Sequence, residues 1–280
     1  MRRSSAYPWT YLESMVAGHR SRSMFSEISK YVMFIGQPRS GTSLVGSLLN
    51  AHPNMWIAQE LNALRYVSRG YGRTQLYWLL YMKDREFGEN GRTWTGYDYA
   101  VPNQWQGRFE KLLVIGDKKA GLSSEQLGRE PELLVRLQHL VMVPIRIFHI
   151  VRNPFNVITT IHRKRRRTSL GKAADMFFGR CETNWRMMQQ HPEMVLTVKL
   201  EDLIAEPKHH LGQMCRFLDL TAEDSYLQAC ARVLFAKPRQ SQSAVTWDPS
   251  LVDSVRERID AFPFMRGYEP AGAPAATRAA

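Results

Sequence analysis

The chain has 280 residues, of which 44% are hydrophobic, 11% aromatic and 23% charged. That balance buries a sizeable core, so a disordered or collagen-like polymer is excluded and one large α/β domain or two small ones are allowed. Lys and Arg number 38 against 26 Asp and Glu, a net charge of +12, which calls for an anionic partner: nucleic acid, an anionic membrane or a highly charged small ligand.

Residues 1–30 hold no apolar run long enough for a signal-peptide core or a membrane span, and read as an N-terminal extension of a soluble, cytoplasmic protein. The run Tyr31–Gly36 (YVMFIG) predicts a buried strand, followed by a glycine-containing turn and a helix carrying Leu44, Val45, Leu48 and Leu49. Residues 71–108 are rich in Trp, Tyr and Gly; with no core periodicity over 94–108, they suit an acceptor-binding loop or packing beneath a long loop. Leu112–Ile115 predicts a second strand, ending at Gly116-Asp117-Lys118-Lys119. Ile145–Val151 predicts a third, and Met194–Val198 a fourth, leading through Glu201-Asp202 into a helix that ends near Phe217. The Pro/Ala-rich residues 269–280 read as a flexible tail, which leaves 31–268 as the domain. Strands alternating with helices predict an α/β fold: a central, mostly parallel sheet with helices on both faces, binding its ligand beyond the carboxyl ends of the strands.

The turn after the first strand, Gly36-Gln37-Pro38-Arg39-Ser40-Gly41-Thr42-Ser43, has the spacing of a phosphate-binding loop. Its two glycines permit tight backbone geometry, and N–H groups at the following helix start face an anion. A nucleotide-hydrolysing loop carries Lys where this chain has Thr42. The nearest cation is Arg39, whose guanidinium fork grips two oxygens at once. Asp117 is followed by two lysines and makes a poor magnesium ligand. A phosphate cradle for something other than a magnesium-bound triphosphate is expected. Cys181, Cys215 and Cys230 are too dispersed for a disulfide framework or a CxxC site, and no metal site is expected.

The stretch QPRSGTSLVGSLLNAHPN resembles the 5′-phosphosulfate-binding motif of sulfotransferases, in the Pro-Arg-Ser-Gly-Thr form of bacterial and Golgi-type members. Val151-Arg152-Asn153-Pro154 resembles the segment that binds the 3′-phosphate, with Thr160 eight positions after Arg152 and Thr159 as its substitute. VKLEDLIAEPKHHLGQMCRFLDL resembles a scaffold segment of the family, and Lys237-Pro238-Arg239 through Trp247 its C-terminal segment, with Arg239 and Ser243 as candidates. The resemblance spans roughly Tyr31 to Tyr268. It implies a P-loop-type fold and a transferase that uses 3′-phosphoadenosine-5′-phosphosulfate (PAPS) as sulfuryl donor, without metal. The implied donor-binding residues are Arg39, Ser40, Gly41, Thr42, Ser43, Arg152, Thr160 and Arg239.

For such chemistry the acceptor hydroxyl needs a base, and the sulfonate needs positive charge. The resemblance points to Glu60, shortly after Ala51-His52-Pro53, as the base at a helix start, with His52 capping the loop helix. Lys118 aligns with the family's catalytic lysine, Lys119 being the neighbouring choice, and Arg39 shares the charge. His149, amid apolar residues, reads as a core histidine. The acceptor is then a small-molecule, glycan or lipid alcohol. The run 162–167 (HRKRRR) suits a solvated helix end, the 3′-phosphate field, an acidic acceptor, peripheral contact with an anionic membrane, or nucleic acid. A kinase on the same fold and a basic nucleic-acid-binding module are the competing functions. The missing loop lysine speaks against the first, and the lack of any accompanying nucleic-acid motif against the second.

Overall fold

Five short apolar runs meet side by side. The computed structural model describes residues 11–165, 167–234 and 240–270. Its strands are β1 (Lys30–Gly36), β2 (Met55–Gln59), β3 (Thr93–Trp94), β4 (Tyr97–Asp98), β5 (Val114–Lys118), β6 (Ile145–Val151) and β7 (Val195–Lys199). Five of them form one parallel sheet in the order β2-β5-β1-β6-β7, while β3 and β4 make a separate antiparallel hairpin. The chain leaves β1 toward β2 and β5 on one side and later crosses to β6 and β7 on the other. The switch point, where such sheets bind ligands, therefore lies at the carboxyl end of β1.

The helices are α1 (Tyr11–Arg20), α2 (Thr42–Asn50), α3 (Ala63–Ser68), α4 (Arg73–Glu89), α5 (Ala120–Arg129), α6 (Glu132–Val141), α7 (Pro154–Lys164), α8 (Leu170–Gln190), α9 (Leu200–Ala205), α10 (Pro207–Phe217), α11 (Asp224–Arg232) and α12 (Pro249–Asp260). Alternation along β1 sorts its side chains between two cores. Tyr31, Met33 and Ile35 pack with α3, α4 and α6; Val32 and Phe34 pack with α2, α10 and α11. A third cluster joins α7, α8 and α12. Because both faces are covered, the inner strands read as unbroken apolar runs, which is why β1 and β6 were visible in the sequence. No helix among the described residues is long and apolar enough to cross a membrane.

The structure departs from expectation in two of its strands. β2 was not foreseen: Met55–Gln59 is a buried strand that the sequence does not separate from the loop before Glu60. β5 begins two residues later than expected and runs through Gly116, Asp117 and Lys118, all buried. Charged residues continue the strand because each has a partner at the site, as described below. Gly116 permits it sterically, since a Cβ there would stand 2.3 Å from the Val32 carbonyl oxygen. Gly116→Ala should therefore cost about 2 kcal/mol through overpacking, read as a lower urea midpoint; an unchanged midpoint contradicts this close approach.

Candidate active site

The loop between β1 and α2 is held in a shape that most side chains disfavour. Gly36 has φ +128°, Arg39 +74° and Gly41 +89°. A Cβ on Gly36 would meet the Ile150 carbonyl oxygen at 2.6 Å, and one on Gly41 would meet the Leu200 side chain at 2.7 Å. Buried Gln37 anchors the loop by donating from Nε2 to the Phe177 carbonyl oxygen at 2.6 Å. Among the described residues, no acceptor takes the backbone N–H groups of Thr42, Ser43 and Leu44. They are the orphan donors of the α2 N-terminus.

This end of α2 opens onto a cavity of 1010 Å³. Arg39, Gly41, Thr42 and Ser43 line it, whereas Ser40 is buried off the wall. Arg152, directly after β6, and Thr160, two turns into α7, lie on the same wall; Thr159 is buried. Arg152 Nη1 donates to the Arg39 carbonyl oxygen at 2.9 Å, tying the two segments together. Burial lowers the Arg152 pKa against the opposing pull of Glu201. Glu201 itself accepts from the Asn153 N–H at 3.0 Å and from the Tyr268 hydroxyl at 2.7 Å, so it fixes the turn after Arg152. Arg239 lies outside the described residues. Nearby, Ser241 faces the cavity, while the Ser243 hydroxyl donates to the Gln240 carbonyl oxygen.

Glu60, Lys118 and Lys119 come together at this cavity. Glu60 does not open a helix as expected; it follows β2 directly, in a left-handed conformation (φ +64°), with Asn62 at +68° before α3. Lys118 Nζ donates to Glu60 Oε1 at 2.7 Å and to Ser43 Oγ at 2.8 Å, and Lys119 Nζ donates to Glu60 Oε2 at 2.7 Å. Burial works against the charge on Glu60, but the two lysines outweigh it and hold its carboxyl below the usual range. Lys118 is 1% exposed, and burial lowers its ammonium pKa despite Glu60. Lys119 and Glu60 face the cavity, and Lys118 lies behind them. A Cβ on Gly46 would stand 2.8 Å from Lys118 Cγ, so that glycine clears the lysine's path.

Asp117, in sequence only a poor magnesium ligand, has a structural part here. Its buried carboxylate accepts from the N–H of Leu61 at 2.9 Å and of Ala63 at 2.7 Å, bracing the strained turn that carries Glu60. Its only signal in the sequence was an acid at a strand end. His52 bonds the Asn54 N–H and faces the Thr221 carbonyl oxygen, and His149 is buried and lowered to about 3; both are structural.

The hairpin β3–β4 covers the loop. Trp94 through Tyr99 line the cavity, and Arg39 Nη1 donates to Thr95 Oγ1 at 3.0 Å. At the base of the hairpin, buried Arg92 pairs both nitrogens with Asp84 at 2.9 and 3.0 Å. Gln106, further along, bonds Ser47 and packs rather than lines. Of the aromatic stretch, residues 94–99 thus line the cavity, while the part around Gln106 packs against α2. Arg163, Lys164 and Arg165 also face the cavity, whose wall carries seven cationic side chains against three carboxylates. Among the described residues, no three His, Cys, Asp or Glu side chains are grouped as a metal site.

A sulfotransferase family model matches residues 32–224. The chain belongs to the sulfotransferase family. Its fold is that of the sulfotransferase STF9 from Mycobacterium avium, with 10% identity over 90% of this chain and 82% of that one and a TM-score of 0.51. Also similar are the sulfotransferase domain of the Synechococcus PCC 7002 olefin synthase (19% identity, 82% and 88% coverage, TM-score 0.48) and retinol dehydratase in complex with androsterone and inactive cofactor PAP (11%, 87% and 84%, 0.41). No curated protein matches the chain significantly.

For this sulfotransferase, Asp117 gives a pH prediction. Burial pushes its carboxyl up to about 6, against the pull of its N–H donors. Below that pH the folded protein protonates it, and a neutral carboxyl accepts N–H bonds more weakly, so the Glu60 turn loosens as pH falls. Turnover should show an acid limb near pH 6. In Asp117→Asn that limb should be absent and the plateau about tenfold lower; a limb that survives the substitution rules Asp117 out as its source.

Proposed function

We propose that this sulfotransferase moves the sulfuryl group of PAPS to a hydroxyl acceptor, with Glu60 as general base. The observation that carries the reading is a carboxylate clasped by two lysines at the mouth of an anion-binding loop. PAPS is the donor that the family implies, and the cavity suits it: free N–H donors at α2 for the 5′-phosphosulfate, and Arg152 with Thr160 for the 3′-phosphate. The triplet 163–165 extends that second field of positive charge. Residues 31–268 then act as one catalytic domain, and the acceptor, a small-molecule, glycan or lipid alcohol, enters between Glu60 and the hairpin β3–β4.

The reaction needs one bond made and one broken. The acceptor oxygen attacks sulfur as its proton passes to a Glu60 oxygen. The bond from sulfur to the 5′-phosphate oxygen breaks, and adenosine 3′,5′-bisphosphate leaves with the electron pair. Paired with two lysines, Glu60 is a weak base. A donor anion competes for the same ammonium groups, so Lys118 and Lys119 turn to the sulfonate and the leaving oxygen, with Arg39 sharing that charge. Glu60, relieved of its partners, gains proton affinity. Thr42 in place of the loop lysine fits a donor that carries no triphosphate.

Two measurements test this. Adenosine 3′,5′-bisphosphate without magnesium should raise Tm, and ATP with magnesium should not; the reverse pattern favours a kinase, and a shift with nucleic acid alone favours a binding module. Glu60→Gln should lower turnover about a hundredfold or more while leaving bisphosphate affinity intact, and unchanged turnover removes Glu60 as the base.

A further inference from the structure

Helix α1 is turned back to front. Ser14 and Gly18, one turn apart, are its buried residues. Gln75 Nε2 on α4 donates to the Ser14 hydroxyl at 3.3 Å, and a Cβ on Gly18 would stand 2.6 Å from the Thr74 carbonyl oxygen. The large apolar side chains point outward: Leu12 is 65% exposed, and Tyr11, Met15 and Val16 are between 43% and 46% exposed. Their spacing of three and four residues joins them into one ridge. An amphipathic helix of a soluble domain buries such a stripe and exposes its small polar residues. An exposed ridge of this kind marks a surface that something covers.

Charge identifies the cover. Exposed Arg20 and Arg22 stand at the carboxyl end of the ridge. At the other end, Tyr11 packs its ring 4.9 Å from Tyr71 and donates its hydroxyl to the Gly70 carbonyl oxygen, and exposed Arg69 and Arg73 border that turn. None of these four arginines forms a salt bridge with a described residue. Glu13 is the one carboxylate of the helix. A second copy meeting this ridge would bring arginines against arginines, whereas anionic headgroups would neutralise them. The basic run at 163–165 is already part of the donor cavity, so it does not supply this surface.

We propose that α1 is a peripheral membrane-docking element. Its ridge enters the boundary between headgroups and acyl chains of an anionic bilayer, and Arg20, Arg22, Arg69 and Arg73 contact the headgroups. The test is co-sedimentation of the full chain with phosphatidylcholine vesicles containing about one quarter phosphatidylserine, and with phosphatidylcholine alone. The wild type should sediment with the anionic vesicles and at least about tenfold less with the neutral ones. The double variant Leu12→Glu/Val16→Glu, altered only at exposed positions, should lose at least about tenfold in binding while keeping its Tm and mass. Wild-type protein that stays in the supernatant with both vesicles overturns the proposal, as does undiminished binding by the variant. A wild-type dimer that the variant splits into monomers overturns it in favour of a second copy as the cover.

Discussion

An ammonium group with almost no solvent exposure is costly unless its partners are in place, and Lys118 is that group. Its charge is met by Glu60 and by the hydroxyl of Ser43, which also accepts from Gln59 at 3.2 Å. Much of the local sequence serves this contact. Gly46 leaves room for the side chain, Gly116 lets β5 lie close to β1, and Asp117 braces the left-handed turn that presents Glu60. Removing one partner would leave a buried charge uncompensated, which is why these residues act as a unit. The same arrangement joins Glu60 to the loop before α2, since Ser43 belongs to the first turn of α2 and Lys118 bridges it to Glu60.

The net charge of +12 finds a partial address in the fold. Cations from the β1–α2 loop, the turns directly after β5 and β6, and the end of α7 converge on one cavity although they lie far apart in the chain. Two carboxylates on its wall, Glu60 and Glu125, are already paired with cations: Glu60 with both lysines, Glu125 with Arg180. The remaining positive field fits a ligand anionic at both ends. A second group of arginines, around α1, lies outside this field and accompanies an apolar ridge rather than a pocket.

Much of this was legible in the sequence. β1 and β6 are apolar runs buried on both faces, and the Gly36–Gly41 loop has few conformations open to it, so local pattern sufficed there. Arg152 and Thr160 were named from the family resemblance, and the end of β6 followed by two turns of α7 brings both to the cavity wall. β2 was missed because Met55–Gln59 is short and ends against a turn whose conformation depends on Asp117, distant in sequence. The end of β5 was misplaced for a related reason: Asp117 and Lys118 look like loop residues until their partners on β2, α2 and α3 are known. The hairpin at 93–98 carries no periodicity, and its position over Arg39 rests on the buried Asp84–Arg92 pair, a tertiary contact.

For Glu60 to act as the proposed base, an anionic donor has to draw the two lysines away from its carboxylate. Carbon-13 NMR titration of the Glu60 carboxyl, with and without saturating adenosine 3′,5′-bisphosphate, measures this directly. The Glu60 pKa should lie below the usual carboxylate range in the free protein and rise clearly when the bisphosphate binds. A Glu60 pKa that stays depressed in the complex would contradict it.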